Sequence, residues 1–153
     1  MSSPDFAALQ ARAEAEGLRV TVGALLVDED GRAFVHRRGP DRSLFPGCWD
    51  IVGGHVEPGE GLLAALAREV EEETGWRVVG TPTLVHVSDW EGRREFDFLV
   101  DVEGDLGRPR LEVPKHVEFR WMGADDVSIL AENRDIDGGM IRRLVELALT
   151  SAR

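Results

Sequence analysis

The chain has 153 residues, 42% of them hydrophobic, and 18 Lys plus Arg against 29 Asp plus Glu give a formal net charge of -11. The length suits one globular domain and the apolar content supports a packed core, which excludes a multidomain machine and a disordered acidic chain. The acidic balance also disfavours a nucleic-acid polymer or an anionic membrane as partner, because both would be repelled.

In chain order, Phe6, Leu9 and Ala13 fall at helical spacing after Ser3-Pro4, and Gly17 stops the run, so residues 1–17 are expected to carry a peripheral amino-terminal helix. No basic-then-apolar leader opens the sequence, no apolar run approaches 18 residues, and the single cysteine, Cys48, cannot form an intramolecular disulfide. A reduced, cytoplasmic protein is the expectation. Leu18 to Val27, the turn Asp28-Glu29-Asp30-Gly31 and Ala33 to His36 read as a hairpin. A basic loop from Arg37 to Gly47 follows, then a short apolar run from Trp49 to Val52 that breaks at Gly53-Gly54.

Residues 60–75, EGLLAALAREVEEETG, form a helix by propensity with Gly75 as its cap, and Leu62, Leu63, Leu66 and Val70 make its apolar stripe. Val78 to Ser88 and Glu95 to Val102 read as a second hairpin around Glu91-Gly92. A polar surface loop spans 103–115. Val117 to Met122 reads as a strand, Ala124 to Leu130 as a short helix, and 137–150 as a closing helix, amphipathic from Met140 onward. Helices at both ends and in the middle of a set of strands predict an α+β fold, a mixed sheet between helical layers, as one domain over 1–153.

Glu69, Glu72 and Glu73 stand at i, i+3 and i+4, so their carboxylates project from one side of the helix. They lie in its carboxyl-terminal half, where the macrodipole disfavours negative charge, so helix stability does not account for them. A hard divalent cation, Mg²⁺ or Mn²⁺, satisfies such a cluster. Arg68 can hold one of these carboxylates by a charge-assisted bond. His36, His55, His86 and His116 show no ligand spacing along the chain, so zinc is not indicated.

Gly54, Glu60, Arg68-Glu69-Val70, Glu72-Glu73 and Gly75-Trp76 together resemble the signature of the Nudix hydrolase superfamily, GX5EX7REUXEEXGU, with every fixed position of 54–76 filled. Trp76 occupies a site where a smaller aliphatic residue is commoner, and packing is its expected role. The resemblance implies an α/β/α sandwich with a mixed sheet. It also implies a metal-dependent pyrophosphohydrolase that cleaves a nucleoside diphosphate linked to another moiety by water attack on phosphorus. Carried over, Glu69, Glu72 and Glu73 are metal ligands and catalytic carboxylates, the Gly53 carbonyl is a further ligand, and Gly54, Glu60, Arg68 and Gly75 support the loop and helix. Glu72 is the first candidate for the base. A later loop in the family sometimes supplies the base, often a glutamate six residues before a Trp; Lys115 stands there relative to Trp121, while Glu118, three before it, remains a candidate.

Arg37, Arg38 and Arg42 are candidates for phosphate contacts, since planar guanidinium suits them, and Phe45, Trp49 and Trp90 are candidates for base stacking. The chain has no tyrosine, which removes the mark of the diadenosine polyphosphate hydrolases, and Glu91-Gly92-Arg93 stands where ADP-ribose pyrophosphatases carry a proline. By subtraction the expected substrate is a nucleoside or deoxynucleoside triphosphate or a similar small nucleotide. Two alternatives are an isopentenyl-diphosphate-isomerase-like enzyme and a non-catalytic, metal-dependent nucleotide sensor. The first needs a cysteine where Gly53 precedes Gly54-His55; the second has no need of an intact glutamate set. The resemblance also admits a homodimer.

Overall fold

The computed structural model describes residues 5–133 and 139–151. Residues 1–4 of the expected amino-terminal segment and 137–138 of the expected closing helix lie outside the described residues. The elements are α1 (Phe6–Ala15), β1 (Arg19–Leu26), β2 (Ala33–Arg38), β3 (Trp49–Asp50), β4 (Val52–His55), α2 (Leu62–Thr74), β5 (Arg77–Trp90), β6 (Arg93–Glu103), β7 (His116–Met122), a 3-10 helix (Ala124–Glu132) and α3 (Met140–Ser151). Among the described residues no helix is long and apolar enough to cross a membrane.

Four strands form a mixed sheet in the order β4-β1-β6-β5, with β1 parallel to β6 and antiparallel to β4. Strand alternation divides its side chains between two cores. Val20, Val22, Ala24 and Leu26 of β1, with Phe96, Phe98 and Val100 of β6, meet Leu62, Leu66 and Val70 of α2 and Ala13 of α1. On the opposite face Leu25 joins Ile51, Val127 and Leu130 and the α3 residues Ile141, Leu144, Val145 and Ala148. Helices thus cover both faces, giving the expected sandwich. Trp76 is buried at 2% exposure, 5.1 Å edge-on to Phe34 and stacked 5.6 Å from Trp121, so this unusual signature residue is core.

Two expectations change. The residues read as a first hairpin share only an isolated bridge, Val27 to Ala33; β1 then enters the large sheet and β2 a second one, ordered β3-β2-β7. The apolar run Trp49 to Val52 is likewise divided at Ile51, with β3 pairing β2 and β4 pairing β1, and β4 runs on through Gly53 and Gly54 to His55 instead of breaking there. Seven buried residues of β1, faces alternating between two cores, need separate neighbours on each side, and a two-stranded ribbon cannot supply them. The second hairpin forms as expected: Glu91 and Gly92 both have positive φ, 45° and 78°, as a tight two-residue turn requires.

Candidate active site

Helix α2 ends in a left-handed Gly75, φ 79°, whose N–H caps the Glu71 carbonyl. Leu62, Leu66 and Val70 face the sheet, while Leu63, expected in the same stripe, is exposed; this orientation sets the direction of Arg68 and the glutamates that follow. Arg68 is the hub. Its Nε and one terminal nitrogen donate to both Glu60 oxygens at 2.8 and 3.0 Å, and it also donates to Glu69 at 2.8 Å, Glu72 at 3.3 Å and the His55 carbonyl at 3.0 Å. Glu60 in turn accepts from the Glu57 N–H at 3.0 Å, which ties the loop before α2 to the helix, and the Arg68 guanidinium holds its carboxyl below the usual range. Only a planar fork offers so many donors at once.

The two adjacent glycines have different reasons. A Cβ on Gly53 would lie 2.3 Å from the Val22 carbonyl oxygen, so β4 can approach β1 only without one. A Cβ on Gly54 would lie 2.5 Å from Glu69 Oε1, so the second glycine makes room for a carboxylate. The Gly53 N–H donates to Glu73 Oε2 at 3.2 Å. Glu73 is 3% exposed; burial first, then the neighbouring Glu69 carboxylate and Asp50, push its carboxyl well above the ordinary value. Charged carboxylates this close require either a shared proton or a cation. An all-oxygen set from Glu69, Glu72 and Glu73 fits a hard divalent ion.

Two histidines unconnected by spacing meet at the same carboxylate. The His36 and His116 rings stack 3.5 Å apart at an interplanar angle of 6°, with Nε2 atoms 3.4 and 3.9 Å from Glu73 Oε1. A β-bulge at Val117 of β7, opposite Arg37 and Arg38, makes this possible: it shifts the β2–β7 register so that His116 turns to the side of His36. Burial lowers both imidazoles, His116 to about 3 with help from Arg42 and Arg38, so both rings are neutral. His36 Nε2 also lies 3.2 Å from the Ile51 carbonyl, which makes it a donor, and near-parallel rings do not converge their lone pairs on one point. The two rings stack on each other and turn their Nε2 atoms toward Glu73 Oε1, walling that carboxylate on one side.

A cleft of about 190 Å³ opens beside the glutamates, with Gly53 and Gly54 in its wall. Arg38, Arg42 and Arg93 reach it, as do Phe45 and Trp90, whose rings lie 6.4 Å apart, and Trp49. Arg38 is nearly buried and bonds Asp50 at 3.1 Å and the Leu44 carbonyl at 2.8 Å. Burial pushes the Asp50 carboxyl up to about 6, against the opposing pull of Arg38. Of the three arginines expected to bind phosphate, Arg38 and Arg42 line the cleft. Arg37 does not: it donates to Gly47 and pairs with Glu118 at 2.9 Å. Glu118 is therefore drawn to Arg37, on the face of β7 turned away from His116, and does not join the α2 carboxylates. Arg93, Asp50, Glu95 and the two histidines were missed from sequence, because each reaches the site from a strand whose partner is distant in the chain. A charged residue within an otherwise apolar strand was the available signal.

Residues 17–144 match the family model described as NUDIX domain. The chain is 30% identical over 122 residues to the Escherichia coli K12 protein named nucleoside triphosphatase NudI, covering 70% of this chain and 84% of that one. Among solved structures, the MutT protein from Methanosarcina mazei Go1 superposes with a TM-score of 0.65 at 25% identity, covering 89% of this chain and 96% of its own. A NUDIX hydrolase from Nitrosomonas europaea gives a TM-score of 0.69 at 25% identity, with 89% and 91% covered.

Proposed function

The chain belongs to the Nudix hydrolases, enzymes that act on phosphoanhydride bonds, and from that premise we propose that it is a divalent-metal-dependent pyrophosphohydrolase of small nucleotides, foremost nucleoside or deoxynucleoside triphosphates. The observation that carries this reading is the shared wall of Gly53 and Gly54. One side of it meets Glu73 and Glu69, and the other lines a cleft with arginines and aromatic rings. This arrangement supports adjoining places for phosphates and base. The relative named nucleoside triphosphatase NudI supports the same substrate class.

Glu69, Glu72, Glu73 and the Gly53 carbonyl would hold Mg²⁺ or Mn²⁺. When bound, such ions offset phosphate charge and lower the pKa of water. The remaining work falls to the chain. Arg42 and Arg38 supply cationic donors at the cleft, and Arg68 keeps Glu69 and Glu72 on one side of the helix. The Gly53 N–H fixes one oxygen of Glu73, and His36 faces the other at 3.4 Å. Glu72 is the base best placed to take a proton from water, because it is 49% exposed and held only by the 3.3 Å contact to Arg68.

The test is Mg²⁺-dependent phosphate release over a nucleotide panel, run with and without added pyrophosphatase so that the two arms reveal which bond breaks. Triphosphates should outperform ADP-ribose and diadenosine tetraphosphate, isopentenyl diphosphate should yield no dimethylallyl product, and Glu72→Gln should lower turnover by orders of magnitude with the fold retained. Turnover unaffected by Glu72→Gln, or the reverse substrate ranking, would overturn the proposal.

A further inference from the structure

The face of the large sheet that meets α3 changes character along its length. Leu25 and Leu99 are opposite one another on β1 and β6, as a core requires; two and four residues earlier the same face pairs Gly23 with Asp97 and Thr21 with Glu95. Asp97 is fully buried, with Oδ2 3.2 Å from His86 Nδ1 and Oδ1 without a hydrogen-bond donor. A Cβ on Gly23 would lie 2.2 Å from that Oδ1, so β1 gives up a side chain to admit a carboxyl. Thr21 is 5% exposed, lines the cleft, and its hydroxyl has no partner. Glu95 also lines the cleft, near the Phe45–Trp90 pair. Buried polar atoms left unpaired inside a cavity are expensive unless a ligand completes them. The volume, about 190 Å³, lies below the range of drug-sized pockets and suits a planar heterocycle.

We propose that this polar floor is a nucleobase-reading subsite in which Glu95, braced from behind by Asp97 and His86, accepts a hydrogen bond from an exocyclic amino group, making it a specificity-determining residue for amino-bearing bases. The proposal rests on the nucleotide reading above. Phe45 and Trp90 supply the stacking edge, and the unpaired Thr21 hydroxyl is a second polar contact. Burial and then the neighbouring Asp97 raise Glu95 well above the ordinary carboxyl value; burial, with Asp50 behind it, raises Asp97 to about 6 against the opposing hydrogen bond from Glu95. The hydrogen bond between Glu95 and Asp97 turns part of the Glu95 carboxyl inward, and beside the Trp90 indole the carboxyl keeps acceptor capacity for an N–H at the cleft. A carbonyl in the same place meets that acceptor and is rejected, because an unmatched polar group in a buried site is penalised.

CTP and UTP differ at one amino or carbonyl group, so they isolate this contact. Wild-type protein should favour CTP in kcat/KM, and Glu95→Gln, which offers an amide N–H₂, should lower the CTP/UTP ratio at least tenfold, chiefly through KM. Glu95→Asp, with the same chemistry one methylene shorter, should keep the order with raised KM; melting temperatures of both variants report on folding. A ratio within threefold of wild type in Glu95→Gln, or an equal fall in kcat for both nucleotides, overturns the subsite while leaving the nucleotide hydrolase intact. Failure of wild-type protein to turn over any triphosphate overturns both.

Discussion

Gly54→Ala separates chemistry from stability. Neither Gly53 nor Gly54 has a positive φ, so alanine meets no backbone objection at either position. At Gly54 the new Cβ falls 2.5, 2.6 and 2.8 Å from Oε1, Cδ and Oε2 of Glu69. Restoring ordinary nonbonded separations of about 3.5 Å moves that carboxylate by roughly 1 Å. A displacement of about 1 Å in a positioned catalytic group lowers rate by ~100-fold, or about 2.7 kcal/mol of barrier. Stability should change by no more than about 1 kcal/mol, because the displaced atoms end a flexible side chain and alanine restricts the unfolded chain. Gly53→Ala is the contrast. Its Cβ meets the Val22 carbonyl oxygen at 2.3 Å and Gly23 Cα at 3.1 Å, both backbone, so the β1–β4 rung must open at a cost of about 1–3 kcal/mol. The assay pairs steady-state triphosphate hydrolysis with thermal melting of each variant. A Gly54→Ala enzyme within threefold of wild-type kcat/KM, or a Gly53→Ala protein melting like wild type, would refute the reading that the missing side chain makes room for Glu69 at Gly54 and for strand β1 at Gly53.

Three further outcomes are expected. Arg68→Lys keeps the charge but loses the fork that joins Glu60, Glu69, Glu72 and the His55 carbonyl, so Mn²⁺ affinity measured by calorimetry should fall about 10–100-fold. Arg42→Ala should raise KM about tenfold through a lost charge-assisted bond, whereas Arg37→Ala should change kcat/KM less than twofold because Arg37 is pinned to Glu118 and Gly47; equal effects would contradict the cleft. The Asp97 carboxyl is raised to about 6 by burial and then by Asp50, so folding resists its ionisation: stability is full below the unfolded value of 3.8 and declines as pH rises toward 6. Asp97→Asn should therefore stabilise at pH 8 by up to about 3 kcal/mol and much less at pH 4.5, as read by melting; the opposite pH order would sink this account.

The family assignment was legible because its signature is local. Gly54 to Trp76 is contiguous, and helical geometry alone brings Glu69, Glu72 and Glu73 to one side, so spacing carries three-dimensional information there. The β5–β6 hairpin was legible for the same reason, since Glu91-Gly92 selects a turn between adjacent strands. The first expected hairpin was not, because β1 and β2 separate into different sheets after one bridge, a choice made by strands far along the chain. The basic loop was read as a unit, yet its arginines divide: β2 alternation sends Arg37 out to Glu118 and Arg38 in to Asp50.

Sequence by itself determined the superfamily resemblance, the carboxylate cluster and the sandwich of helices about a mixed sheet, all of which follow from local periodicity and fixed offsets. Tertiary structure alone decided how those carboxylates are held and what faces them. A one-residue bulge in β7 sets His116 against His36 and Glu73, and parallel pairing of β1 with β6 places Thr21 and Gly23 beside Glu95 and Asp97. Nearly half of the net charge of -11, first a reason to exclude polyanionic partners, lies in residues 54–76, where six glutamates stand against one arginine. Long-range register is set by the packing of whole strands against both cores, and no window of sequence contains it.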